Sequence, residues 1–180
     1  GASMVSIAIG HQLDVVTRIL SDFATINATA ATAYPMSILV DEDDKPTGEV
    51  VKATTPDHFA LAGMLNSGAI SSMMWRGGYS ATKGRRRFIW EIDGDEGSIK
   101  FESDGVYGAF LNLYDPDIYL DGEPIAVEGG RGTIANLTNA WAEFAKGEGG
   151  DYATIDDAVK NQILLDAIGR SIEGQKTITL

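Results

Sequence analysis

The chain has 180 residues, 44% of them hydrophobic, which is enough for a domain with a real core. Its 26 acidic residues outnumber 14 basic ones, and the formal charge of -12 argues against nucleic acid or an anionic membrane surface as partner. Cysteine is absent, so neither a disulfide framework nor a thiolate metal site can form.

Gly1-Ala2-Ser3 read as a cloning scar and Met4 as a native start, leaving 4–180 as a single domain. Ile9, Leu13, Val16 and Leu20 recur at helical spacing. His11, Asp14 and Arg18 occupy a different face of that helix. The period then changes. Phe23 to Thr32 alternates and is rich in Thr and Ile, as strands are. Ile38-Leu39-Val40 is a short second strand, and the acidic run from Asp41 to Thr47, with Pro46, is a solvated loop. His58–Leu65 and Ala69–Arg76 form a hairpin about Asn66-Ser67-Gly68. Arg87–Asp93 pairs with Ser98–Glu102. Val106–Leu113 and Ile118–Leu120 extend the sheet, and Asp121-Gly122 turns into Pro124–Val127.

Two helices close the chain. Ile134, Leu137, Trp141 and Phe144 share a face of the first. Thr154 and Asp157 stand in capping-box spacing at the start of the second. Its buried side is expected from Val159, Ile163, Leu164 or Leu165, Ala167 and Ile168, with Gly174 as its end. This order predicts an α+β fold: a large, mostly antiparallel sheet with helices on one face. The other face, rich in Met, Trp and Tyr, is then available for a homodimer.

The chemistry concentrates at two places. His11 is one of two histidines and has Asp14 one turn on, a spacing that can orient an imidazole for proton transfer. A helix-capping or packed histidine is the plainer alternative. Trp75, Arg76, Tyr79 and Lys83 follow a strand end, where cations could hold a carbonyl or anionic group and Trp an apolar wall. A strand end with snorkelling charges accounts for them as well. Arg85-Arg86-Arg87 reads as a solvated strand edge. No Ser/His/Asp triad and no metal-ligand set can be assembled from these residue types.

Four blocks carry a family resemblance. They are Gly10-His11-Gln12-Leu13-Asp14 with Ile19 to Phe23; Asp57-His58-Phe59 through Trp75-Arg76-Gly77-Gly78 and on to the Trp90–Ile99 hairpin; Thr133–Ala145; and Ala158–Ser171. In this order the chain resembles the C-terminal, substrate-side domain of the Gfo/Idh/MocA oxidoreductases, in their fungal, galactose-repressor-like branch. The resemblance implies that His11 lies beside a substrate; with Asp14 it is the expected catalytic pair, and Trp75, Arg76, Tyr79, Lys83 and Tyr107 are the expected substrate-binding residues, Tyr107 being otherwise a core side chain. The resemblance also implies dimerisation through the open sheet face.

The departures are equally informative. No Gly-rich turn leads from a strand into a helix, so no cofactor is expected. NAD(P) enters only if an N-terminal domain belongs to the natural protein. Some relatives carry Asp four residues before the histidine, where this chain has Ile7. The expectation is therefore a cytoplasmic, stand-alone domain with a small-molecule substrate and a cofactor-independent isomerisation, dehydration or cyclisation in fungal-type secondary metabolism. Two other readings stay open: the substrate-binding half of an NAD(P)-dependent dehydrogenase, and a non-enzymatic regulatory module.

Overall fold

A computed structural model describes residues 3–43, 45–77, 88–105, 115–126 and 132–180. The expected strand at 106–113, the Arg85–Arg87 run, Tyr79, Lys83 and Tyr107 lie outside the described residues. A π-helical turn, Val5–Ile9, leads into α1 (Gly10–Ile19). Strands β1 (Phe23–Ala31), β2 (Met36–Val40), β3 (Pro46–Lys52), β4 (His58–Leu65) and β5 (Ile70–Arg76) follow. Then come β6 (Phe88–Gly94), β7 (Gly97–Ser103), β8 (Asp117–Leu120) and β9 (Glu123–Ile125). The chain ends with α2 (Thr133–Ala145), α3 (Ile155–Gly174) and β10 (Ile178–Thr179). The fold is α+β, and every described strand pair is antiparallel. No described helix is long and apolar enough to cross a membrane.

The chain divides into two compact units. The first comprises residues 1–79 and 155–180 and holds a sheet in the order β10-β1-β4-β5, with β2 and β3 as a separate hairpin. Its core follows from the pleat. Phe23, Ile26 and Ala28 of β1, with Phe59, Leu61 and Leu65 of β4, are buried on one face. Against them lie Ile9, Leu13 and Val16, and Leu164, Ala167 and Ile168 of α3. The α1 stripe is thus the expected one, up to Leu20, which sits past the helix end. The α3 stripe is shifted: Val159 and Ile163 are half exposed and Ser171 completes the buried face. Gly174 is the last helical residue, yet the left-handed position falls on Gln175, at φ +48°.

The loop expected from Asp41 to Thr47 ends early, because strand β3 begins at Pro46. Pro46 opens it opposite Val40, at a strand start where the missing N–H costs nothing. The hairpin's side chains are nearly all exposed, so no alternation marks it.

Ser171 solves an edge problem. β10 pairs only with Thr25 and Ile26, so the Ala28 amide on that side of β1 has no strand partner. The Ser171 hydroxyl, fully buried, accepts that amide at 2.9 Å and donates to the Lys176 carbonyl at 2.6 Å. Ser171→Ala leaves a donor and an acceptor unpaired, at a cost of about 1–3 kcal/mol. The expected result is a melting temperature lower by roughly 2–4 °C per kcal/mol. Calorimetry showing an unchanged transition would refute that role.

The second unit, residues 80–154, holds a sheet in the order β6-β7-β8-β9 and helix α2. Trp90 stacks on Phe101 with centroids 5.0 Å apart, and Ile118 is next in register on that face. Asp121 and Gly122, at φ +50° and +85°, make the tight turn between β8 and β9. The Asp121 carboxylate braces it by accepting the Ser98 amide at 2.8 Å. The α2 stripe of Ile134, Leu137, Trp141 and Phe144 is exposed. Phe144 meets Trp141 and Tyr152 edge-on.

Candidate functional site

The entry to α1 sets the site. The π turn runs into the helix without a capping side chain, and the Asn161 amide of α3 donates to the Gly10 carbonyl at 3.2 Å. Gly10 itself lies against Leu165, so α3 fixes the depth of the first turn. His11 is exposed there, away from the Leu13–Val16 stripe. Asp14 is half buried one turn on. Among the described residues no hydrogen bond or ion pair joins the two, so the orienting contact that their spacing suggests is not made.

Beyond the apolar packing of Leu13 and Val16, one polar contact ties α1 to the sheet. The Trp75 indole donates to the Gln12 carboxamide, next in sequence to His11. Trp75 lies opposite Phe59 on the helix-covered face of the sheet. Beside it, a Cβ on Gly77 would meet the Met4 methyl, so the N-terminal turn also lies at this end of β5. Arg76 does not share the site. Strand alternation turns it to the opposite face, across from His58. His11, Gln12 and Trp75 are therefore brought together, whereas Arg76 is separated from them by the sheet.

The other histidine is held far more firmly. His58 Nδ1 lies 2.7 Å from Asp57 Oδ1. That carboxylate also accepts the amides of Ala33 and Tyr34, each at 2.8 Å. The Tyr34 ring sits 5.9 Å from the imidazole. Partial burial raises the Asp57 carboxyl, but the hydrogen bonds from His58, Ala33 and Tyr34 and the His58 charge outweigh it. The net position is below the ordinary value. A depressed carboxyl stabilises the fold at neutral pH, and that contribution fades as pH falls through the carboxylate range. The sequence placed Asp57 and His58 side by side. It could not show that two amides from before the β2–β3 hairpin would lock them.

In the second unit, Lys100 lies 4.3 Å over the Tyr119 ring and 3.0 Å from Glu102. Burial raises the Tyr119 hydroxyl, as do the charge and hydrogen bond of Glu102, so it stays protonated.

The family model of the Gal80p C-terminal domain matches residues 1–103. The chain is 33% identical over 115 residues to the galactose/lactose metabolism regulatory protein GAL80 of Kluyveromyces lactis, covering 63% of this chain and 25% of that one. It is 28% identical over 185 residues to the dehydrogenase aclE of Aspergillus oryzae, covering 98% of this chain and 48% of that one. The chain thus spans a quarter to about half the length of these curated relatives. Among solved structures, a super-repressor mutant of Gal80p from Saccharomyces cerevisiae aligns with 99% of this chain and 50% of its own. The TM-score is 0.82 at 23% identity. Apo levoglucosan dehydrogenase aligns with 100% of this chain and 51% of its own, with a TM-score of 0.68 at 20% identity.

Proposed function

This chain belongs to the family of the Gal80p C-terminal domain, and from that premise we propose that it binds a small organic molecule beside α1 and the end of β5. It is an oxidoreductase-related C-terminal domain of the Gal80 and Gfo/Idh/MocA type. On the proposed reading, His11 transfers a proton in a cofactor-independent isomerisation, dehydration or cyclisation, and Trp75 supplies the apolar wall. The observation that carries this is the Trp75–Gln12 hydrogen bond, which fixes the indole beside the helical turn that exposes His11. A likeness to a dehydrogenase along nearly the whole chain supports an inherited small-molecule site. The test needs no knowledge of the natural substrate. Cyclohexenone and dihydroxyacetone are incubated with the chain in heavy water, and deuterium incorporation next to the carbonyl is followed by NMR. Incorporation faster than in buffer, and abolished in His11→Ala, is the expected result. Buffer rates for both probes, with an unmoved Trp75 indole resonance, would overturn the reading.

The similarity to a regulatory protein supports a second reading, a module that binds another protein without chemistry.

We also propose a homodimer through the sheet face turned away from α1 and α3. Across β5 and β4 that face carries Ile70, Met74 and Met64, which are 87%, 67% and 45% exposed. Small side chains lie between them, Ala60, Ala62 and Ser72, so the face is flat enough to meet its own copy. Light scattering is expected to give twice the chain mass, and Ile70→Lys with Met74→Lys to give the monomer. Monomer mass for the unaltered chain at high concentration would end this proposal.

A further inference from the structure

We propose that the β2–β3 hairpin is a dimerisation arm, whose strand β2 pairs edge to edge with β2 of a second copy, antiparallel about Ile38. The pairing rests on the sheet-face homodimer and adds a contact to it.

The two edges of this hairpin, which forms a sheet of its own, are not alike. Ladder bonds from the Ala53 amide to the Pro35 carbonyl, and from the Asp41 amide to the Lys45 carbonyl, turn the odd-numbered residues of β2 inward. The amides and carbonyls of Met36, Ile38 and Val40 therefore face away from β3. The outer edge of β3 is defended. Pro46 has no N–H to offer, Lys52 is charged, and the register breaks between Val50 and Pro46, where Gly48 sits at φ +85°. β2 has no such defence: Met36 to Val40 runs without charge, proline or extra residue. Among the described residues nothing bonds to its outward backbone groups. The side chains of Met36, Ile38 and Val40 share one face and are 54%, 58% and 52% exposed.

Three observations name a second copy as the occupant. The strand is complementary to itself. Turned about a two-fold at Ile38, it sets Met36 opposite Val40 and Ile38 opposite its own image. Each outward amide then meets an outward carbonyl, and each apolar side chain meets another. The sheet face also needs help. On it β1, β4 and β5 present four residues each, about half of the roughly 20–30 that a stable interface takes from each partner. Finally, the arm leaves the sheet on the right side. Tyr34, two residues before β2, lies 5.9 Å from the ring of His58, which shares the open face with Ala60, Ala62 and Met64.

The absence of cysteine lets one introduced thiol report the register in the full chain. Ile38→Cys places two thiols across the two-fold, with Cα atoms about 5.5 Å apart and within disulfide reach. Ser37→Cys places them on a diagonal of about 7–8 Å, beyond that reach. Under mild oxidation, Ile38→Cys is expected to form covalent dimer at least about tenfold faster on a non-reducing gel. Ile38→Pro removes the outward amide at the two-fold and no bond of the hairpin itself. The dimer dissociation constant should then rise about tenfold or more. Val50→Pro removes the same group from the other edge and should leave that constant unchanged. Equal cross-linking of the two cysteine variants, or a dissociation constant unmoved by Ile38→Pro, overturns the arm pairing and leaves the sheet-face dimer standing. Monomer mass for the unaltered chain at high concentration overturns both.

Discussion

Gly63→Val is expected to cost about 3–5 kcal/mol, a large share of the stability of an ordinary domain. Gly63 stands in the middle of β4, opposite Ile26, where the β1 register slips between Phe23 and Thr25. That irregularity brings the β1 backbone close. A Cβ at Gly63 would overlap the Thr25 carbonyl oxygen and lie 2.9 Å from Phe23 Cδ1. Neither obstacle can yield cheaply. The carbonyl belongs to a residue whose neighbour Ile26 is fully buried, and Phe23 is itself 3% exposed. The backbone of β1 would have to move away from β4, against pairing that runs on to Ala31 and His58. The strand that carries His58 would be displaced with it. Urea unfolding of Gly63→Ala and Gly63→Val is the measurement, and a steep graded loss of midpoint is expected. Midpoints within error of the unaltered chain would mean that β1 relaxes freely.

That glycine shows where sequence reasoning stops. Its period-2 strand, from His58 to Leu65, was legible residue for residue, because Phe59, Leu61 and Leu65 are apolar on the buried side. The α1 stripe was legible for the same reason. The α3 stripe was not placed correctly, because Val159 and Ile163 are as apolar as Leu164 and Ile168, and only packing against β1 and β10 chooses between them. β3 is not legible in the sequence because a hairpin with exposed faces leaves no burial pattern. The candidate site divides the same way. A histidine near a helix start is visible in a sequence. The Trp75–Gln12 bond spans 63 positions and depends on how two elements pack, which no local spacing encodes. Arg76 next to Trp75 reads as a cluster until the pleat assigns them to opposite faces.

The largest functional effect is expected at His11. If His11 is the proton donor and acceptor, His11→Ala should lower turnover by roughly two to four orders of magnitude, the usual worth of a positioned acid or base. The helix should survive the change, because His11 is exposed and Leu13 and Val16 carry the packing. Asp14→Ala should do much less, since no bond joins that carboxylate to the imidazole. Its effect is expected to stay within about tenfold, the scale of a longer-range charge through water. Trp75→Ala is a different kind of loss. It removes the indole that bonds Gln12 and offers the apolar wall, so it should raise KM more than it lowers kcat. Gln12→Ala then separates the two parts of that effect. It keeps the wall but frees the indole, so a drop in kcat with KM nearly unchanged would mean that the bond positions the His11 turn. Steady-state kinetics on the four variants read this pattern directly. Turnover unchanged in His11→Ala, with Asp14→Ala strongly impaired, would move the proton transfer away from His11 and sink the assignment.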